Sequence, residues 1–316
     1  MIVAKRVQYS QPGGPEVLEL VDYEPSVPQA GQIQVQVRFA GLNPIDWKIR
    51  SRYRGLYDGP LPSGNGADFS GVVVAVGEGV TQPQVGDLVF GGAFRQAQAE
   101  LLTVPADSVA LIPEGLDEAI AGGLDIVGRT AWNSVESLGM TADDTVLVSA
   151  AAGGVGVLAV QFAKRTGARV IATASERNHD FLRELGAEPV SYGDGLVDRL
   201  REIAPAGITA VLDNHGADTI HAALELGVAP ERINTIAAPD LAKELGLGNV
   251  GGTKPDAAKI HMIGALIAAG EVVLPIEAIY PFAAVQDAYR HQETGRARGK
   301  ILLAVDEVAQ QRVTER

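Results

Sequence analysis

The plainest chemical signal in the chain is the run Ala151-Ala152-Gly153-Gly154-Val155-Gly156. It follows a short apolar run, residues 145–150 (TVLVSA), and opens an amphipathic stretch, residues 157–166. A second apolar run, residues 169–173 (RVIAT), comes next. Strand, glycine loop, helix and strand in that order make a βαβ unit with parallel strands. The loop matches the dinucleotide fingerprint with alanine at the first glycine position. Each position has a physical reason. A small residue lets the backbone turn tightly, Gly153 lets the main chain approach a pyrophosphate, and Gly156 lets the helix pack on the strand. The pyrophosphate then meets the free N–H groups and positive dipole end of the helix.

The end of the second strand separates NAD from NADP. An NAD site wants a carboxylate there for the ribose hydroxyls. The chain reads Thr173-Ala174-Ser175-Glu176-Arg177, with Ala174 where the acid is expected. The site is therefore open to a 2′-phosphate, with Ser175 as a hydrogen-bond donor and Arg177 as its ion-pair partner. Glu176 is the alternative, the ribose acid if the strand runs longer. The pattern favours NADP(H).

Composition narrows the rest. A length of 316 residues suits about two domains. With no cysteine, disulfide scaffolds, thiol nucleophiles, iron–sulfur clusters and thiolate zinc sites are excluded. A formal net charge of −13 argues against a nucleic-acid partner, because phosphate binding needs clustered Lys and Arg. No window approaches 18 uncharged apolar residues, so no membrane span is expected. The first residues show no apolar stretch of signal-peptide length, which makes the cytoplasm the default location.

The elements that must position the loop fall into two characters. Residues 1–122 read as β-rich, a compact barrel or sandwich. Residues 32–37 (QIQVQV) alternate, residues 71–76 (GVVVAV) form a buried strand, and residues 84–89 (QVGDLV) start another. Residues 117–138 carry helical spacing. From there strands and helices alternate, with further strands at 188–191 and 210–213, which predicts an α/β, doubly wound parallel sheet over 123–262. Helices at 260–269 and 283–293 and a strand at 300–305 follow. Residues 263–305 return to the first domain, and the polar tail 306–316 is expected to fray.

Nearly the whole chain resembles the zinc-independent quinone oxidoreductases, with their enone-reducing branch, of the medium-chain dehydrogenase/reductase superfamily. The segments that carry the resemblance are residues 40–52 (AGLNPIDWKIRSR), 61–80 (LPSGNGADFSGVVVAVGEGV), 85–91 (VGDLVFG), 149–173 (SAAAGGVGVLAVQFAKRTGARVIAT) and 293–303 (ETGRARGKILL). The resemblance implies a GroES-like β-domain, a Rossmann-type cofactor domain and a C-terminal return to the first. It also implies a homodimer. Zinc alcohol dehydrogenases carry a cysteine where Asn43 stands and a His-Glu pair where Ala67-Asp68 stand, and their third ligand region falls near Arg129–Thr130. Those ligands are missing here, so no metal is expected.

The resemblance places Asn43, Asp46 and Lys48 in the cleft near the nicotinamide. It places Thr130 on the nicotinamide ribose or carboxamide and Tyr192 beside the adenosine 2′-phosphate. Ile236 and Ala237 fall on the loop that covers the nicotinamide, and Arg296 on the tail that returns to the cofactor. Without a metal, a hydride goes most readily to an acceptor conjugated to a carbonyl, and the developing enolate must be stabilised. Lys48, Asn43 or Tyr53 would do this, with Asp46 as the counter-charge of Lys48 and with Tyr53 and Tyr57 walling the cleft. The expected protein is an NADPH-dependent reductase of a small quinone or α,β-unsaturated carbonyl. A pathway-specific enoyl or ketone reductase and an NADPH-binding protein with little turnover are the alternatives.

Overall fold

A computed structural model describes residues 3–55, 59–252 and 254–314. Packing sorts the chain into two units, Met1–Ile126 with Lys254–Glu271 and Pro275–Arg316, and Val127–Thr253 with Val272–Leu274. The boundaries thus lie near 126 and 253 rather than at 122 and 262. The helix Ala257–Ala268 goes with the first unit, because its residues pack on the β-domain beside the strand Val109–Leu111.

The first unit is built on a seven-stranded sheet. Its order runs Ile276–Pro281, Lys300–Ala304, Gln32–Gly41, Asp68–Val76, Leu88–Gly92 and Val109–Leu111, and Leu101–Pro105 also pairs with Gln32–Gly41. The alternation read at 32–37 is real: Ile33, Val35 and Val37 are fully buried, and their polar neighbours are half-buried. The strand expected from residue 84 begins at Leu88. Residues 84–87 form a turn instead, in which the Gln84 N–H donates to the Asp87 carboxylate at 2.7 Å.

Two further expectations change. The helical spacing over 117–138 resolves into two helices, Glu118–Ala121 and Asp125–Ser137, broken where Gly122 and Gly123 lie close against the strands bearing Phe39 and Leu302. Of the tail expected to fray, Glu307–Thr314 is a helix, and residues 315–316 lie outside the described residues. Asp306 caps it through the Ala309 N–H at 2.7 Å, and Ala309 is buried against Phe39, Leu302 and Ala304. A single small apolar residue was too weak a signal in a polar segment.

The second unit carries a five-stranded parallel sheet in the order Glu188–Val190, Arg169–Thr173, Thr145–Val148, Ala210–Asp213, Ile233–Thr235. The order reverses at the central strand Thr145–Val148, which is the switch point of a doubly wound α/β sheet. Ligands of such sheets bind at the carboxyl ends of the strands there.

Candidate functional site

The fingerprint loop sits at that switch point. The helix Gly154–Arg165 starts immediately after Gly153, whose backbone is extended. Ala150 holds a positive φ of 46°, and the Ala151 N–H donates to the Thr173 carbonyl at 3.0 Å, tying the loop to the neighbouring strand. Ala151 and Ala152 are buried, while Gly153, Gly154 and Val155 are half-buried at the helix start. Gly156 is required by contact: a Cβ there would lie 2.2 Å from the Ala150 carbonyl oxygen and 2.7 Å from Ala151 Cα.

The other expected cofactor residues of this unit occupy the same carboxyl edge or its border. Ala174 is buried directly after its strand, so no carboxylate stands at that position. Ser175 follows, its hydroxyl oxygen accepting from Asn178 Nδ2 at 3.2 Å, and Glu176 and Arg177 are exposed on the next turn. Thr130 is buried on its helix and its hydroxyl oxygen accepts the Gly252 N–H at 3.2 Å. Tyr192 is exposed in the loop after Glu188–Val190.

The residue that organises this edge was not singled out from the sequence. Asp213, fully buried at the end of its strand, accepts from four donors in three segments. Oδ1 takes the Ser149 hydroxyl at 2.7 Å and the His215 and Gly216 N–H groups at 3.0 Å each, and Oδ2 takes the Thr235 hydroxyl at 2.6 Å. The Thr235 oxygen in turn accepts the Ala237 and Ala238 N–H groups at 3.2 Å, and the Ile236 N–H donates to the Asp213 carbonyl at 3.0 Å. One carboxylate therefore ties the start of the fingerprint loop to the loops after two other strands, including Ile236 and Ala237.

In the first unit the motif NPIDWK folds as the helix Pro44–Arg50, with Asn43 at its N-cap and Pro44 at the first position, where no N–H is needed. The Asp46 carboxylate reaches back to the Asn43 N–H at 2.8 Å. Strand pairing of Leu302 with Gly41 and Leu303 with Ala40 brings Lys300 alongside Asn43. The Lys300 ammonium, 3% exposed, donates to the Leu42 carbonyl at 2.9 Å, to Asn43 Oδ1 at 2.6 Å and to Asp68 Oδ2 at 3.1 Å. Those three bonds use all three of its donors. Asn43 Nδ2 closes the ring on Asp68 Oδ2 at 2.9 Å, and Asp68 Oδ1 accepts the Ile126 N–H at 2.9 Å.

A second buried network adjoins the first. The Tyr289 hydroxyl donates to Asp46 Oδ2 at 3.0 Å and accepts from Asn65 Nδ2 and Gln98 Nε2 at 2.8 Å each. Arg50 lies over the Tyr289 ring at 4.9 Å and pairs with Glu293. Burial raises the Asp46 carboxyl to about 7, assisted by the Asp68 charge and opposed by the Asn43 N–H, Tyr289 and Lys300. Burial also pushes the Tyr289 phenol well above its ordinary range.

Asp46 is thus not the counter-charge of Lys48. The two are two residues apart on a helix, which sets them on different faces. Asp46 points into the core, and the lysine near it is Lys300, from another strand. Lys48 is half-buried, its ammonium 5.9 Å from the Trp47 ring, and Tyr53 meets Trp47 edge-on at 5.6 Å with 38% of its surface exposed. Tyr57 lies outside the described residues. Arg296 is exposed in the turn after the helix Val285–Glu293, its N–H donating to Thr294 Oγ1 at 3.3 Å. The sequence signal for Lys300 was a lysine heading an unbroken apolar strand, KILLA, every residue of which is buried.

One prediction follows from Asp46. An ordinary aspartate titrates near 3.8 and this one near 7, so the folded protein binds the proton more tightly than the unfolded chain. The stabilisation is complete below about pH 4 and is lost as pH rises through about 7. Asp46→Asn imitates the protonated acid. Denaturant unfolding at a series of pH values is expected to show the wild type losing a few kcal/mol relative to this variant across that window. Parallel profiles would refute it.

An α/β parallel sheet with a fingerprint loop at its switch point, joined to a β-domain with a buried Lys–Asp–Asn cluster, defines a protein of the dehydrogenase/reductase type. Residues 29–114 match the alcohol dehydrogenase GroES-like domain, and residues 154–264 match the zinc-binding dehydrogenase domain. The quinone oxidoreductase of Pseudomonas aeruginosa is 37% identical over 235 residues, 72% of this chain and 71% of that protein. A mycocerosic acid synthase-like polyketide synthase of Mycolicibacterium smegmatis is 32% identical over 98% of this chain, which spans 16% of that protein's length. The Escherichia coli quinone oxidoreductase complexed with NADPH superposes with a TM-score of 0.83 at 28% identity, over 96% of this chain and all of that one. The chain belongs to the quinone oxidoreductase branch of the medium-chain dehydrogenase/reductase superfamily.

Among the described residues no helix is long and apolar enough to cross a membrane.

Proposed function

We propose that the protein is an NADPH-dependent, zinc-free reductase of quinones or α,β-unsaturated carbonyls. The observation that carries this reading is the fingerprint loop at the switch point with Ala174, not an acid, at the end of the next strand. Gly153 and the N–H groups at the start of Gly154–Arg165 hold the pyrophosphate. Ser175 and Arg177 hold the 2′-phosphate. The cofactor, when bound, supplies a hydride for the β-carbon of the acceptor.

The donor set of the first unit supports a metal-free reaction. A catalytic zinc needs three protein ligands and an open position. Here the Asn43 and Asp68 oxygens already hold an ammonium, and a dication would have to displace it or sit beside it. The ammonium has no donor left for a substrate, so Lys300 and Asp68 position Asn43 and do not touch the acceptor. Negative charge developing on the acceptor oxygen falls to Lys48, half-buried at the end of that motif, and to Tyr53, exposed in the turn beyond it. Proton delivery to the α-carbon comes from Lys48 or solvent.

The match of 98% of this chain to a stretch of a polyketide synthase keeps a pathway-specific enoyl or ketone reductase as the second reading. NADPH oxidation with a quinone, an enone and an unsaturated thioester tests all of these. Turnover is expected on at least one, with Lys48→Ala lowering kcat about 10²-fold, the scale of a lost general acid or oxyanion donor. Tight NADPH binding with no turnover on any acceptor would overturn the enzyme reading. Unchanged kcat in Lys48→Ala would remove Lys48 from the mechanism.

A further inference from the structure

One phenol gathers distant segments of the β-domain onto the helix that carries Lys48. Tyr289 is fully buried on the helix Val285–Glu293. Its hydrogen-bond partners Asp46, Asn65 and Gln98 lie 243, 224 and 191 residues away. A phenol has one proton and two lone pairs. Both lone pairs accept amide N–H groups, from Asn65 Nδ2 and Gln98 Nε2 at 2.8 Å each. The proton is thereby directed to Asp46 Oδ2 at 3.0 Å. Asn65 Nδ2 also donates to Gln98 Oε1 at 2.8 Å, which fixes the two amides against each other. The direction of the hydroxyl is therefore set by the protein and not by solvent.

Asn43 is held between two carboxylates. Asp46 Oδ2 accepts its N–H at 2.8 Å, and Asp68 Oδ2 accepts its side-chain amide at 2.9 Å. The charged and titratable groups around Asp46 come from four elements. They are Lys48 and Arg50 on its own helix, Asp68 on Asp68–Val76, Lys300 on Lys300–Ala304, and Tyr289 and Glu293 on Val285–Glu293. Four of them pair off, Lys300 with Asp68 and Arg50 with Glu293. With Asp46 protonated, this buried set is balanced. With Asp46 ionised, an extra negative charge stands in the core and repels Asp68. That repulsion acts on both ends of Asn43 at once. Among the described residues the Tyr289 hydroxyl is the one side-chain donor that holds Asp46 in place.

We propose that Tyr289 is a positioning residue for the acceptor site: by holding Asp46 it fixes the start of the helix Pro44–Arg50, and with it Asn43 and Lys48, in the geometry that turnover needs. The inference rests on the reductase reading and adds to it a residue of a distant helix. Tyr289 is buried and touches no substrate, so it acts through Asp46. The working state is the balanced one, with Asp46 protonated. Burial raises that carboxyl to about 7, so the state is lost as pH rises through that value. The Tyr289 bond favours the carboxylate, so its removal moves the loss to higher pH.

The test follows NADPH oxidation by the full chain with 1,4-naphthoquinone and with 2-cyclohexenone, on both sides of pH 7. Wild-type kcat is expected to fall as pH rises through about 7. Tyr289→Phe should lower kcat about tenfold, the rate equivalent of one lost hydrogen bond, and shift that fall to higher pH. Its Kd for NADPH stays unchanged. Asp46→Asn, which keeps an oxygen for both donors, should abolish the fall, and it carries the test alone if Tyr289→Phe does not fold. A residue that only supports the core would leave the profile in place, so parallel profiles in all three proteins overturn the positioning role with the reductase reading intact. A wild-type profile without a fall near 7 does the same. Wild-type protein that turns over neither acceptor at any pH overturns the reductase reading, and the positioning role with it.

Discussion

Replacing Lys300 with methionine is expected to cost about 3–5 kcal/mol of folding stability, the penalty for stranding one member of a buried ion pair. Lys300 and Asp68 are 3% and 0% exposed, and the ammonium is the cation in contact with the Asp68 carboxylate. Methionine keeps the length of the aliphatic stem but leaves the carboxylate with the Asn43 amide and the Ile126 N–H as its remaining bonds. The Leu42 carbonyl and Asn43 Oδ1 lose their donor as well. The double variant Lys300→Met/Asp68→Asn removes the stranded charge and should recover most of the loss. A double-mutant cycle in urea measures both. If the double variant is no more stable than Lys300→Met, the cost is packing rather than charge, and the electrostatic account of the cluster fails.

The second large effect separates two glycines that look alike in the fingerprint. At Gly156 the new Cβ of an alanine would meet backbone atoms, 2.2 Å from the Ala150 oxygen, and backbone cannot rotate away. The helix start must shift, and a displacement near 1 Å costs a preorganised site about 10²-fold. Gly156→Ala is therefore expected to weaken NADPH binding about a hundredfold and to lower the melting temperature. At Gly153 the nearest atom to a new Cβ is 3.4 Å away, ordinary contact. Gly153→Ala should melt with the wild type yet still bind NADPH poorly, because the space it fills belongs to the pyrophosphate. Melting curves beside NADPH titrations decide this. A Gly153→Ala protein that binds normally would show that the cofactor does not approach the main chain there.

These two sites show how differently the two halves could be read. The cofactor half is local chemistry. Strand, loop, helix and strand lie within 30 residues of one another, and each position reports a short-range need: small residues for a turn, a glycine for close packing, an uncharged residue for a phosphate. That is why the loop, Ala174 and the strands around them were legible. Asp213 was not, because its partners Ser149 and Thr235 are 64 and 22 residues away. A carboxylate ending a strand has no pattern that announces such partners.

The β-domain half was legible only in outline. The motif NPIDWK folds as the helix Pro44–Arg50, but a helix has faces, and which face is buried was not written in the motif. Asp46 is buried and Lys48 only half-buried, so the pair joined by proximity in sequence is divided by the 3.6-residue period. The chemical partner of Asn43 is instead Lys300, 257 residues away, delivered by the pairing of its strand with Gln32–Gly41. Likewise, His215 meets Tyr192 only because two loops converge over the strands between them.

By itself the amino-acid sequence determined the α/β class, the dinucleotide loop and its preference for an uncharged strand end, because these depend on contacts short in chain separation. Only the tertiary structure decided which charges lie in the core and which cation neutralises Asp68. It alone placed the Asp46 carboxyl where burial raises it to about 7. Those are properties of burial and of partners brought from far along the chain, and a burial energy has no value until the packing that creates it exists.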